Sequence, residues 1–360
     1  MSGWVSVWAP LPPGVWLRRP VDPPPFPLEV PGCRLYEEGR DAVWHGVHAL
    51  GLGEGDEVLS PAYHAGPDVE AMIRAGIEVR FYAGAPDLQP DAAELDRLRG
   101  PRTRALYLVH DLGSPQDATR WRAWCDERDL LLIEDAAQSW LSERDGLPVG
   151  SLGDLALWSV YKMVPTPDGT VAICKRPLSG PSGSARVRPG KLIHMQGAWL
   201  GQRWGPVRRL RRGEDEEFDA IAHFDLGDPD AAPSRTTAYL VRRLGDPGVA
   251  PARRRNYTRL LEDLSDHVPA PFDRLPEGGC PWLFLVESEE RAAMLEFLET
   301  RGIGAMSFWE PFHPSANPET FSDAARRRAT AVALPVHHEL REGDLDRISK
   351  AARDWYSRRG

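Results

Sequence analysis

Lysine is nearly missing from this sequence: of forty-four lysines and arginines, only Lys162, Lys175, Lys191 and Lys350 are lysine. A chain that writes arginine wherever it wants positive charge keeps few amines able to lose a proton and form an imine, because a guanidinium stays charged. Cysteine is sparse too. Cys33, Cys125, Cys174 and Cys280 lie far apart and form no Cys-x-x-Cys pair, so neither a zinc site nor a disulfide framework is indicated. No dense basic run dominates and the formal net charge is −9, which argues against a nucleic-acid partner. The cluster Arg208 to Arg212 runs straight into "GEDEEFD" and reads as a solvated face of mixed charge. No segment is long and apolar enough to span a membrane, and no basic stretch followed by an apolar one opens the chain, so a cytoplasmic location is expected. His337-His338-Glu339 lacks the helical spacing of metal ligands, and no metal is expected.

What is present has the pattern of a large α/β protein. A chain of 360 residues can bury a substantial core, with one large domain and a smaller one as the natural division. The proline-rich residues 1–35 read as an extended arm packed on a partner or on a domain surface. After them, "GRDAVWHGVHALGL" and "DVEAMIRAG" have helical spacing, while "DEVLSPAY", "IEVRFYA", "ALYLVH" and "LLLIED" read as strands. "DATRWRAWCDERD" reads as a helix with Asp117 as its N-cap. "DLALWS" and "TVAIC" read as further strands. This alternation predicts a mostly parallel sheet covered on both faces, in a large domain over 36–240. From about Leu178 to Ala231 the sequence is rich in Gly, Pro and Arg and reads as loops and short helices. Residues 241–360, with "WLFLVES" between helical segments, read as a small α+β domain.

Three places hold residues able to do chemistry together. In "LWSVYKMVPTPDG", Ser159 precedes Lys162 by three residues at the end of a strand, so hydroxyl and amine converge; the plainer reading is a lysine snorkelling from a strand end. In "LIEDAAQS", Asp135 ends a buried apolar strand, where open α/β sheets place ligands. A carboxylate there suits a pyridinium nitrogen, which it keeps protonated, though it could equally cap the next helix. In "YEEGRDAVWHG", Gly39 opens a helix whose N–H groups and dipole suit a phosphate. Together these places ask for one ligand with an aldehyde for Lys162, a ring nitrogen for Asp135 and a phosphate for Gly39, Arg40, Asp41 and Ser159. Pyridoxal 5′-phosphate (PLP) has all three.

The same segments resemble the DegT/DnrJ/StrS family of PLP-dependent, fold-type I aminotransferases, most of which act on nucleotide-linked keto-sugars. "GRDAVWHGVHALGLGEGDEVLSPAYH" is similar to the family's phosphate helix and following strand, and "YLVHDLGSPQD" to its "VH-x-x-G-x-P-x-D" segment. "LLIEDAAQSW" is close to its "IEDAAQ" signature, and the "LPVHH" region to its small domain. The resemblance implies the PLP-transferase fold type I, with Asp135 at the pyridine nitrogen, Gln138 near the ring hydroxyl and Lys162 as the cofactor-bearing catalytic lysine. It also implies a ring stacked on the cofactor, with His64 as first choice and Tyr63 as second. Two departures stand out: Leu157 occupies the place of the usual serine five residues before the lysine, and "PDGT" replaces the usual "GEGG" turn. Ser159 is the substitute phosphate contact.

The expected function is transfer of an amino group from an amino acid, glutamate first, to a keto-sugar, giving amino-sugars for polysaccharides or glycosylated natural products. A homodimer is expected by the same resemblance, with the Arg-rich 182–235 region reaching across. The alternatives are a PLP-dependent sugar dehydratase, disfavoured because the family's dehydratases replace the lysine by histidine, and a non-catalytic scaffold that binds a partner.

Overall fold

The apolar runs of the first half assemble into one seven-stranded sheet, seen in a computed structural model that describes residues 3–84, 86–185, 188–204, 224–309 and 312–358. In chain order the elements are β1 (Arg34–Tyr36), α1 (Gly39–Leu50), β2 (Glu57–Pro61), α2 (Pro67–Arg74), β3 (Glu78–Tyr82), α3 (Ala92–Leu98) and β4 (Thr103–Val109). There follow α4 (Ala118–Asp126), β5 (Leu131–Asp135), the small hairpin β6 (Glu143–Arg144) and β7 (Leu147–Pro148), β8 (Leu155–Ser159), α5 (Val160–Met163) and β9 (Thr170–Cys174). The sheet order is β1-β9-β8-β5-β4-β2-β3, with β9 alone antiparallel to its neighbours.

Strands that alternate between two buried layers need apolar residues at successive positions, and β4 shows it from Ala105 onward. Its Ala105, Tyr107 and Val109 face the larger core, whereas Leu106 and Leu108 join Trp121, Trp124 and Leu132 in a second cluster on the other face. Asp117 caps α4, its side chain accepting from the Arg120 N–H. Helix α1 lies close on β8 because Gly46 lacks a side chain; a Cβ there would sit 2.3 Å from Leu155 Cδ2. That close approach brings the N-terminus of α1 to the carboxyl ends of β5 and β8.

The second half continues with α6 (Pro189–Arg203), α7 (Arg235–Leu244), α8 (Val249–Leu264), β10 (Leu283–Glu287), α9 (Arg291–Thr300), β11 (Met306–Ser307), α10 (Ser322–Thr330), β12 (Ala331–Pro335) and α11 (Glu342–Tyr356). Strand β12 runs between β10 and β11, antiparallel to both, and α8 packs on α11 and β10. The first residues lie against this part of the same chain: Val5 bridges to Ile303, Trp4 N–H donates to Gly201 O, and Val5, Leu11 and Val15 are fully buried. Among the described residues no helix is long and apolar enough to cross a membrane. The Arg208–Arg212 cluster lies outside the described residues.

Helix α10 escaped the sequence reading because "SDAARRRAT" has almost no apolar stripe. Its arginines do the packing. Arg328 donates to the carbonyls of Ala62, His64 and Trp309, and Arg327 to those of Pro86 and Ala270, which ties the small sheet to the loops after β2 and β3.

Candidate active site

The neighbouring acids at the end of β5 point to opposite faces and do different work. Glu134 is fully buried and accepts from the Gly150 and Leu152 N–H groups and from His110, whose Nε2 lies 3.0 Å away. Gln116 N–H donates to His110 Nδ1, which leaves the ring proton on Nε2, directed at Glu134. His110 is therefore held in a structural network. Asp135 faces the other way. Its Oδ2 accepts from Tyr107 Oη at 3.0 Å and its Oδ1 from Ala137 N–H at 2.9 Å, and among the described residues no cation pairs with it. Burial and the Asp135 charge together hold the Tyr107 phenol in its protonated form, its pKa well above the ordinary value. Gln138, also buried, accepts from Leu112 N–H through Oε1, which leaves its amide NH2 as the group to offer.

Strand β8 is paired in register with β5, Leu157 opposite Asp135. At its end Ser159 Oγ lies 3.1 Å from Thr170 Oγ1 of β9, and the single turn α5 then presents Lys162. The Lys162 amine makes no hydrogen bond or ion pair among the described residues; its Nζ sits 5.0 Å from the Trp282 ring centre and 6.0 Å from that of Tyr161. Trp8 of the N-terminal segment completes this aromatic wall, 5.6 Å from Trp282 and 6.2 Å from Tyr161. Just past the lysine, the buried Arg253 of α8 donates to Met163 O and to the carbonyls of Pro281 and Trp282. The downstream turn is pinned through Asp168, which accepts from Thr237 Oγ1 and Ser234 N–H.

At the start of α1 the backbone of Gly39 is closely faced by three side chains. A Cβ there would lie 3.3 Å from Asp68 Oδ1, 3.7 Å from Ser159 Oγ and 3.9 Å from Leu157 Cδ1. The first-turn N–H groups of a helix have no partner within it and attract an anion. Arg40 is paired with Glu38 at 2.6 Å. Asp41 is spent on the helix itself: its Oδ2 accepts from the Glu38 N–H, and burial pushes its carboxyl up to about 7. The structure thus brings Gly39, Ser159, Lys162 and Asp135 to one side of the sheet and assigns Asp41 a capping contact.

His64 and Tyr63 are packed against protein rings. His64 is stacked parallel on Phe81 with centres 5.4 Å apart, and Tyr63 meets Trp309 at 4.8 Å. Both ring nitrogens of His64 and the Tyr63 hydroxyl are buried without a hydrogen-bond partner. Burial, with Arg328 and His313 nearby, keeps the His64 ring neutral, its pKa well below the ordinary value. Sequence reasoning passed over Asp68, Tyr107, Trp8 and Trp282. Tyr107 carried one usable signal, a hydroxyl on the same face of β4 as the buried Asp135 of β5; the others meet the site only through long-range packing.

The profile of the DegT/DnrJ/EryC1/StrS aminotransferase family matches residues 36–169, a span that includes Gly39, Asp68, Tyr107, Asp135, Gln138, Ser159 and Lys162. Over nearly the whole chain, a pleiotropic regulatory protein of Geobacillus stearothermophilus is 31% identical across 336 residues, covering 88% of this chain and 83% of that one. The chain belongs to the DegT/DnrJ/EryC1/StrS aminotransferase family. A second relative in this group, the dTDP-4-dehydro-2,3,6-trideoxy-D-glucose 4-aminotransferase of Saccharopolyspora spinosa, is 28% identical over 351 residues, with 89% of this chain and 84% of that enzyme covered. The fold of this DegT/DnrJ family member is also that of DesV from S. venezuelae, at a TM-score of 0.67 with 23% identity, covering 90% of this chain and 84% of DesV. The large, mostly parallel sheet followed by a small C-terminal sheet is the fold-type I arrangement shared by this group.

Proposed function

We propose that this chain is a PLP-dependent aminotransferase that moves an amino group from an amino acid, glutamate first, to a keto-sugar carried on a nucleotide. The observation that carries the reading is the pairing of two charges left without protein partners. The Asp135 carboxylate, buried and bonded only to neutral donors, and the Lys162 amine stand at the ends of adjacent strands beside the α1 N-terminus. A buried carboxylate without a cation is costly unless a ligand supplies one, and a pyridinium nitrogen does so. The residues fit the group at its phosphate end too, where Gly39 leaves room that a Cβ would fill and Ser159 offers a hydroxyl.

When bound, PLP supplies an aldehyde carbon and a ring that withdraws electrons from the substrate carbon. Lys162 would hold the cofactor and then serve as general base and acid, taking the proton from the substrate Cα and delivering it to the carbon that carried the cofactor's aldehyde. Asp135 would hold the proton of the ring nitrogen, its carboxylate oriented by Tyr107 and the Ala137 N–H. Gln138 would offer its amide NH2 to the ring hydroxyl. Tyr161 and Trp282 stand beside the amine, with Trp8 packed on both rings. Two copies pairing into a homodimer agree with the exposed Leu17, Ile193 and Trp204, and light scattering of the purified protein tests that pairing. Nucleotide-linked sugars as acceptors agree with the activity named for the S. spinosa relative, and a cytoplasmic enzyme is part of the same reading.

The deciding experiment is a visible spectrum of the purified protein with added PLP, before and after glutamate. A band that glutamate discharges is the expected result. A protein that takes up no PLP refutes the reading and favours the scaffold alternative.

A further inference from the structure

An acid stands beside Gly39 at the start of α1. Asp68, in the first turn of α2, places its Oδ1 3.3 Å from the point where a Gly39 Cβ would stand, on the same spot that Ser159 Oγ approaches to 3.7 Å. It is partly buried, no hydrogen bond or ion pair of the described residues reaches it, and it does not cap its own helix, whose N-cap Gly66 has no side chain. The charges around it come from three elements. Asp135 faces it from the end of β5 and Lys162 from α5, one of each sign. Arg40 and Glu38 face it from the start of α1, already paired with each other at 2.6 Å. These neighbours are of mixed sign, and among the described residues none forms an ion pair with Asp68. A phosphate dianion seated on the α1 amides would meet an ionised Asp68 as a like charge at contact distance, whereas a neutral carboxyl there would be a hydrogen-bond donor.

Resting on the function proposed above, we propose that Asp68 is a cofactor-phosphate contact of this chain: it meets the phosphate as a neutral carboxyl, donating its proton to a phosphate oxygen, so that wherever Asp68 starts ionised, loading the cofactor takes up one proton from solution. The proton balance is simple. Ionised Asp68 gains one proton as the phosphate enters, and releases it as the phosphate leaves; no bond to phosphorus forms or breaks. The protein is prepared for this exchange, since burial first and the Asp135 charge second push the Asp68 carboxyl up to about 7, against the smaller opposing pull of Lys162. In the same place Leu157 supplies no hydroxyl, and Ser159 and Asp68 are the polar side chains nearest Gly39.

The test measures the dissociation constant of pyridoxamine 5′-phosphate by its own fluorescence at about pH 6.5 and about pH 8.5. The amine form of the cofactor makes no imine with Lys162, so the lysine's own titration stays out of the readout. With an acid near 7, the neutral fraction falls from roughly three quarters to roughly 3% across that interval, and the wild-type protein should bind about twentyfold more weakly at the higher pH. Asp68→Asn, which keeps the shape and loses the titration, should show a flat affinity and bind more tightly than wild type at about pH 8.5. Asp68→Ser should be flat as well, and guards against a folding defect peculiar to one variant. Unphosphorylated pyridoxamine should show no such slope with the wild-type protein. Equal slopes in wild type and both variants would overturn the assignment, as would the same slope with unphosphorylated pyridoxamine. Failure of pyridoxamine 5′-phosphate to bind at either pH would overturn the proposed function along with it, an outcome distinct from binding with an unaltered slope.

Discussion

Arg253 offers the sharpest test of how the lysine turn is held. Its side chain is 1% exposed and its guanidinium donates to three carbonyls: Met163 O at 2.6 Å, and Pro281 O and Trp282 O at 3.0 Å each. One bond fixes the residue after Lys162, and the other two fix the chain at Trp282, whose ring lies beneath the amine. Replacing Arg253 by Met keeps most of the apolar stem and removes all three donors. Each buried carbonyl left unpaired costs about 1–3 kcal/mol. Against this stands the burial of the guanidinium itself, expensive enough to push its pKa down to about 10; removing that charge recovers part of the loss. The net expectation is a destabilisation of about 3 kcal/mol, well above the spread of surface substitutions. Urea unfolding followed by tryptophan fluorescence reads the stability, and the affinity for pyridoxamine 5′-phosphate reads the site. The variant should lose stability and also loosen the lysine, so that the imine band of PLP-loaded protein weakens out of proportion to cofactor binding. Stability within about 0.5 kcal/mol of wild type would refute the idea that these bonds anchor the turn.

Four further outcomes follow from the same geometry. Lys162→Ala should abolish both the visible band of the PLP-loaded protein and amino transfer, and undiminished turnover would remove the lysine from the mechanism. Asp135→Asn keeps a hydrogen-bonding side chain but loses the charge facing the ring nitrogen, so kcat should fall by about 10²-fold or more, the usual scale for losing an electrostatic partner at the reacting group; steady-state rates check it. Gly113→Ala should cost about 3 kcal/mol or more on the same unfolding assay, because Gly113 has φ +84° and an added Cβ would lie 2.0 Å from Cys280 O. Asp41 has its folded pKa raised from 3.8 to about 7 by burial, so its contribution to stability is full below 3.8 and is lost as pH rises through 7. Asp41→Asn should therefore gain on wild type as pH is raised across that window, and parallel pH–stability curves would count against the burial argument.

The strand and helix pattern of the large domain was legible because its signals are local. Apolar runs of β4 and β5, the Asp117 cap and the Gly39 start of α1 all act within a few residues, and each stands in the structure where its local chemistry puts it. Helix α10 and the buried Arg253, Arg327 and Arg328 were not legible, because an arginine's burial depends on carbonyls that arrive from distant segments. Asp41 shows the same limit at closer range. It stands at the right place for a phosphate contact, yet a donor three residues away in the chain claims its carboxylate.

By itself the sequence determined which chemistry is on hand: one lysine after a strand, one aspartate closing an apolar strand, and a glycine opening a helix, each recognisable from its immediate neighbours. Only the tertiary structure decided which groups share a space. It set Asp68 beside Gly39 and Ser159, turned Glu134 toward His110 and Asp135 away from it, and laid Trp8 and Trp282 around the Lys162 amine. The physical reason is range. Alternation, capping and turn preference are set within a few bonds, whereas charge pairing and burial depend on atoms that come together only when the large sheet, the small sheet and the N-terminal segment pack against one another.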